Sequence, residues 1–144
     1  MDRDVLTLAR LARILERACT GPGGGLTLAQ YRLLAMIAEG AERASQLAGE
    51  LALTKPTVSA TVDTLVERGL VNRAGVAGDR RATRLTVTES GGDALLLAEA
   101  SMRGQLDDVL ARIDDPAAIR RSFAQLQAAL DERREERRAA RTRA

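Results

Sequence analysis

The chain has 144 residues, 45% of them hydrophobic and 29% charged, with a net charge of +2 and no histidine. That length and apolar share fit a single domain with a sizeable core, which must be aliphatic because the aromatics are one tyrosine and one phenylalanine. Without histidine the usual general base and the commonest metal ligand are missing, and with a single cysteine a zinc site of ordinary type is excluded, so an enzyme, a metal site or a cofactor is not expected.

In chain order, residues 4–18 form a helix on which Val5, Leu8, Leu11, Ala12, Ile14 and Leu15 cover a broad apolar arc. The arc is wider than one packing partner requires, which points to other helices or a second subunit. Asp2, Asp4 and Glu16 alternate with Arg3, Arg10, Arg13 and Arg17, unlike a signal or transit peptide, and no apolar run reaches 18 residues, so no membrane contact is expected. Cys19 has no partner for an internal disulfide, and the simplest location is cytoplasmic. The glycine-rich stretch 21–25, with Pro22 inside, breaks the helix; a phosphate-binding loop would end in Gly-Lys-Ser/Thr, which is absent. Thr27 and Gln30 then make a capping box for a helix through Ala38, carrying Leu33, Leu34, Met36 and Ile37 and stopped by Gly40.

Residues 45–71, SQLAGELALTKPTVSATVDTLVERGLV, read as two helices joined by a tight turn. Leu47, Ala48 and Leu51 give the first an apolar face. Thr54 offers a hydroxyl N-cap to the second and Pro56 sits in its first turn, where a missing N–H costs nothing. Val58, Val62 and Leu65 form the buried stripe. Opposite lie Pro56, Thr57, Ser59, Ala60, Asp63 and Thr64, a slim face that would let the helix enter a groove about 12 Å wide, as the DNA major groove is. Thr57, Ser59 and Ala60 are then candidates for base edges, with Thr54 and Lys55 near phosphates. Any αα-hairpin in a bundle has such a pattern; the next segment separates the two readings.

Gly69 stops the second helix, and two short strands, 70–74 and 83–87, flank a Gly-bounded loop over 75–81, which makes a β-hairpin. Between residues 68 and 84, Arg68, Arg73, Arg80, Arg81 and Arg84 face only Asp79, a local excess of four positive charges in a chain whose net charge is +2. A basic hairpin beside such a helix is a wing that can lay arginines on phosphates or in the minor groove.

Thr88 caps a long helix over 89–113, in which Gly91, Gly92 and Gly104 each cost about 1 kcal/mol relative to alanine. Asp114-Asp115-Pro116 ends it and starts the next. These aspartates, like Asp107-Asp108, are sequence neighbours suited to caps and helix surface rather than to paired acid/base work. In the last helix Ile119, Phe123, Leu126 and Leu130 alternate at spacings that form an a/d seam. Past Asp131 the chain is charged and alanine-rich, either a frayed helical extension or a disordered tail.

Three blocks, LTLAQYRLLAMIAEG (26–40), TKPTVSATVDTLVERGLV (54–71) and DRRATRLTVTESG (79–91), resemble the multiple-antibiotic-resistance regulator (MarR) family of winged-helix transcription factors in order and spacing, and with the helical ends the resemblance covers nearly the whole chain. It implies a mainly α fold with a small β-hairpin wing: a winged helix-turn-helix over 26–91, dimerisation helices at 4–20 and 92–132, and a charged tail at 133–144. It also implies a short strand around 42–44. An Asp-x-Arg pair at the wing tip is typical of the family, the arginine entering the minor groove and the aspartate orienting it; Asp79 and Arg81 occupy those positions, with Arg80 between them. The usual Asp-Pro earlier in the wing is replaced by Val76-Ala77. The expected interface is thus Thr54, Lys55, Pro56, Thr57, Ser59, Ala60, Thr64, Asp79, Arg80 and Arg81.

The functional expectation is a homodimeric repressor on a palindromic operator of double-stranded DNA, released by a small-molecule effector. Two alternatives stand beside it. One is a redox-sensing repressor using Cys19, although some relatives place a sensing cysteine near the helix start with tyrosine partners, and Cys19 ends its helix with Tyr31 as the one tyrosine. The other is a winged helix used for protein contacts, against which the Arg81 wing tip argues.

Overall fold

The computed structural model describes residues 2–21, 25–41, 44–51, 53–76 and 79–142. The elements run α1 (Arg3–Thr20), α2 (Leu28–Ala38), α3 (Ala44–Leu51), α4 (Lys55–Glu67), β1 (Val71–Val76), β2 (Asp79–Val87), α5 (Glu89–Leu110) and α6 (Pro116–Thr142). This is the mainly helical architecture with one antiparallel hairpin that the sequence indicates. Residues 22–24 of the expected linker, 42–43 of the expected short strand and 77–78 of the wing lie outside the described residues. Ala44, counted with that strand, instead opens α3.

The helix starts are set by local chemistry. Thr27 Oγ1 accepts from the Gln30 amide at 3.1 Å while Gln30 Oε1 accepts from the Thr27 amide at 3.0 Å, closing the capping box. Thr54 caps α4, with Pro56 in its first turn, and Thr88 caps α5 through the Gly91 amide at 3.0 Å. Asp115 Oδ1 accepts from the Ala118 amide at 2.9 Å at the start of α6. The first helix starts one residue earlier than expected because Asp2 caps it, its carboxylate accepting from the Asp4 and Val5 amides, and it runs on to Thr20.

The core is aliphatic. Leu33 and Leu34 of α2, Leu47 of α3, the Val58/Val62/Leu65 stripe of α4, Val71 of β1 and Leu85 of β2 are buried together, closed on one side by Ala98 and Met102 of α5. Helix α5 leaves the wing and packs along α1, where Ser101 Oγ donates to the Ala18 carbonyl at 2.9 Å. The turn from α4 into β1 passes through Gly69 at φ +69°, a left-handed conformation that suits glycine.

Gly91 is not merely a weak point in α5, as helix propensity suggests. A Cβ there would stand 2.1 Å from the Leu70 carbonyl oxygen and 2.9 Å from Val87 Cγ1, so its bareness lets α5 start against the base of the hairpin. Gly92 and Gly104 have nothing within 4 Å and fit the propensity argument.

The terminal helices keep unpartnered apolar faces: Val5 and Leu8 on α1, and Leu126 and Leu130 on α6, are 53–61% exposed. The charged segment after Asp131 continues α6 to Thr142, which decides for the helical extension over the disordered tail. It reaches α3, where Arg134 Nη2 pairs with Glu50 Oε2.

Candidate nucleic-acid interface

Helix α4 sits on the core by its fully buried valine and leucine stripe, which turns the opposite face outward. Thr54, Lys55, Pro56, Thr57, Ser59 and Ala60 are all exposed, and Thr64 is half-buried. The face is therefore slim and polar, as the spacing indicates. The hydroxyls on it are not equivalent. Thr57 Oγ1 lies 2.8 Å from Thr54 Oγ1, and Thr64 Oγ1 donates to the Ala60 carbonyl at 3.0 Å, so both are engaged within the helix. Ser59 Oγ makes no hydrogen bond among the described residues, which leaves its donor and acceptors for a ligand.

Asp63 is exposed on the outer face as expected, but its carboxylate is engaged. Its Oδ1 accepts from Arg73 Nη2 at 2.7 Å, tying the helix to the root of the wing. Arg68, at the end of α4, donates through Nη1 to Gln30 Oε1 at 3.1 Å. Two of the five arginines counted as wing charge are thus internal ties, and the local excess of positive charge is smaller than the sequence window indicates because Asp63 lies just outside it. An acid on the exposed helix face and an arginine two residues into the next strand were the available signal.

The strands run further than the sequence indicates: Asp79, Arg80 and Arg81, read as loop, belong to β2. The ladder pairs Val71 with Val87 through Gly75 with Thr83, then jumps so that Val76 meets Asp79, leaving Arg80, Arg81 and Ala82 without partners opposite. Such a bulge bends the strand and raises its twist near a functional edge. The side chains of these three wing residues lie outside what the structure describes.

Cys19 is fully buried, its Sγ 3.9 Å from the Thr27 carbonyl oxygen, and burial, then the Glu16 carboxylate, push its thiol up from the ordinary value. Reactive thiols are exposed and lowered, so this environment disfavours a redox sensor. Tyr31 donates to Glu99 Oε1 at 3.3 Å, and burial, then Glu99, raise its phenol to about 12. Among the described residues no group of three or more His, Cys, Asp or Glu is arranged to hold a metal, and no helix is long and apolar enough to cross a membrane.

An exposed ion pair such as Asp63–Arg73 contributes about 0–1 kcal/mol to folding, so its use is positional. Asp63→Asn is expected to leave urea denaturation nearly unchanged and to weaken sequence-specific DNA binding about threefold to tenfold. Specific binding as tight as wild type would mean that the wing keeps its place without the pair.

Residues 24–82 match the model of the MarR family. Among solved structures, the chain is similar to MarR, with 24% identity over 94% of this chain and 97% of that one and a TM-score of 0.77. It is similar to a MarR-family transcriptional regulator from Rhodococcus sp. RHA1, with 24% identity, 88% of each chain covered and a TM-score of 0.73. It is also similar to CouR from Rhodococcus jostii RHA1, solved bound to p-coumaroyl-CoA, with 25% identity, 88% and 87% of the two chains covered and a TM-score of 0.68.

Proposed function

We propose that the chain, whose residues 24–82 match the model of the MarR family, is a DNA-binding transcription regulator of that family and not an enzyme: a homodimeric, cytoplasmic repressor of a palindromic operator, released by a small-molecule ligand. The observation that carries the DNA-binding part is α4 itself, seated on a fully buried apolar stripe with Ser59 and Ala60 exposed beside an arginine-bearing wing. The uncovered apolar faces of α1 and α6 support dimerisation through both chain ends. Two-fold symmetry would set two copies of α4 about 34 Å apart, one turn of DNA. CouR, a relative in fold, holds an acyl-CoA ligand, which supports effector control here by analogy.

Selection of random duplex DNA on the full chain is expected to enrich an inverted repeat with half-sites one helical turn apart, bound by a species that sediments as a dimer. Enrichment of no sequence, or of a single half-site by a monomer, would refute the reading.

In the wing, Arg81 is assigned to the minor groove and Asp79 to orienting it. Arg81→Ala should weaken operator binding and lower the salt slope by about one. Asp79→Ala should weaken it too, although it removes a charge that repels DNA. Tighter binding by that variant would reduce the wing to simple electrostatics.

A further inference from the structure

We propose that the cleft between α3 and the far end of α6 binds a small oxyanion, which competes with Glu50 for Arg134. The cavity has a volume of about 270 Å³ and is lined by Arg32 of α2, Arg133, Arg134 and Arg137 of α6, and the apolar Leu51 and Leu130. That is just below the usual range of drug-sized ligand sites, so it suits a compact anion.

The charges there are unevenly matched. Among the described residues, Arg32, Arg133 and Arg137 have no ion-pair partner, and the two carboxylates on the lining are Glu50 and Asp131. Asp131 is taken up on its own helix, accepting from Gln127 Nε2 at 3.0 and 3.1 Å. Glu50, only 9% exposed, is the carboxylate that meets Arg134.

That contact uses one edge of the guanidinium incompletely. Arg134 reaches Glu50 through Nη2, while its Nε is buried without a hydrogen-bond partner among the described residues. The Nε–Nη2 edge is the fork that grips two coplanar oxygens, and a buried donor left empty is unfavourable. An incoming carboxylate or phosphate would fill both positions and add the attraction of the three neighbouring arginines, with Leu51 receiving any short hydrocarbon part. Glu50 lies on the first helix of the helix-turn-helix, so displacing it removes the Arg134 contact between α3 and α6; what that does to the helix-turn-helix, unlike the binding, rests on the DNA-binding reading.

The test is calorimetric titration of the full chain, without DNA, with sodium butyrate and separately with inorganic phosphate at constant ionic strength. Saturable binding of one anion per chain is expected; butyrate alone marks a carboxylate site, phosphate alone a phosphate site, and both a general oxyanion site. Glu50→Gln, which removes the internal competitor, should tighten binding about tenfold. Arg32→Gln and Arg137→Gln, which break no ion pair among the described residues, should each weaken it at least fivefold. The proposal is overturned if neither anion saturates, if Glu50→Gln folds but binds no more tightly, or if both arginine variants bind as wild type. Because no DNA is present, these results stand apart from the fate of the operator reading.

Discussion

Gly91→Ala is expected to cost about 3 kcal/mol of stability, the upper part of the range for forcing an extra carbon into a packed site. Helix propensity alone gives the opposite sign, a gain of about 1 kcal/mol when a helical glycine becomes alanine. The clash decides the matter. The added Cβ would lie 2.1 Å from the Leu70 carbonyl oxygen, a backbone atom, and that same oxygen accepts from the Thr88 amide at 3.1 Å. Moving it away breaks the hydrogen bond that joins the wing to α5. Domains of this size are stable by about 5–15 kcal/mol, so the loss should be plain in the midpoint of urea denaturation. Gly92→Ala is the control: nothing lies within 4 Å of its Cβ, so it should be neutral or stabilising. If the two variants behave alike, the close approach of α5 to Leu70 is not a constraint.

Ala60→Glu should lower operator affinity at least a hundredfold, about 2.7 kcal/mol, while shifting stability by no more than about 0.5 kcal/mol. Ala60 is exposed on α4, beside Ser59 and opposite the buried stripe. A glutamate there would place a longer, charged side chain between helix and groove, among phosphates. Ser59→Ala is the milder variant, removing a hydroxyl that makes no internal hydrogen bond and costing about 1–3 kcal/mol if it reads a base. Titration of a fluorescent operator measures both. Ala60→Glu binding as wild type would remove α4 from the groove.

The elements that were legible in the sequence are those whose chemistry is local. Thr27 with Gln30, Thr54 with Pro56, and Thr88 each announce a helix start within four residues, and the 4-and-3 spacing of Val58, Val62 and Leu65 marks the face that is buried. What could not be read is long-range. Gly91 looks like any helical glycine until Leu70 is brought against it. Asp63 looks like a free polar residue of the outer face until Arg73 folds back upon it. Glu50 and Arg134 are 84 residues apart, and no periodicity in either helix links them. The α6 extension was half-legible: Arg, Glu and Ala are strong helix formers, but so high a charge reads equally as a disordered tail.

Gln30 Oε1 receives both the Thr27 amide and the Arg68 guanidinium. A carbonyl oxygen has two lone pairs, so both bonds can be held together, yet they depend on a single atom. The first turn of α2 and the last turn of α4 therefore form one unit of local opening rather than two. Fraying at either end loosens the other, and slow exchange of the Thr27 amide reports on how firmly the end of α4 is held, from a helix start two elements away in the chain.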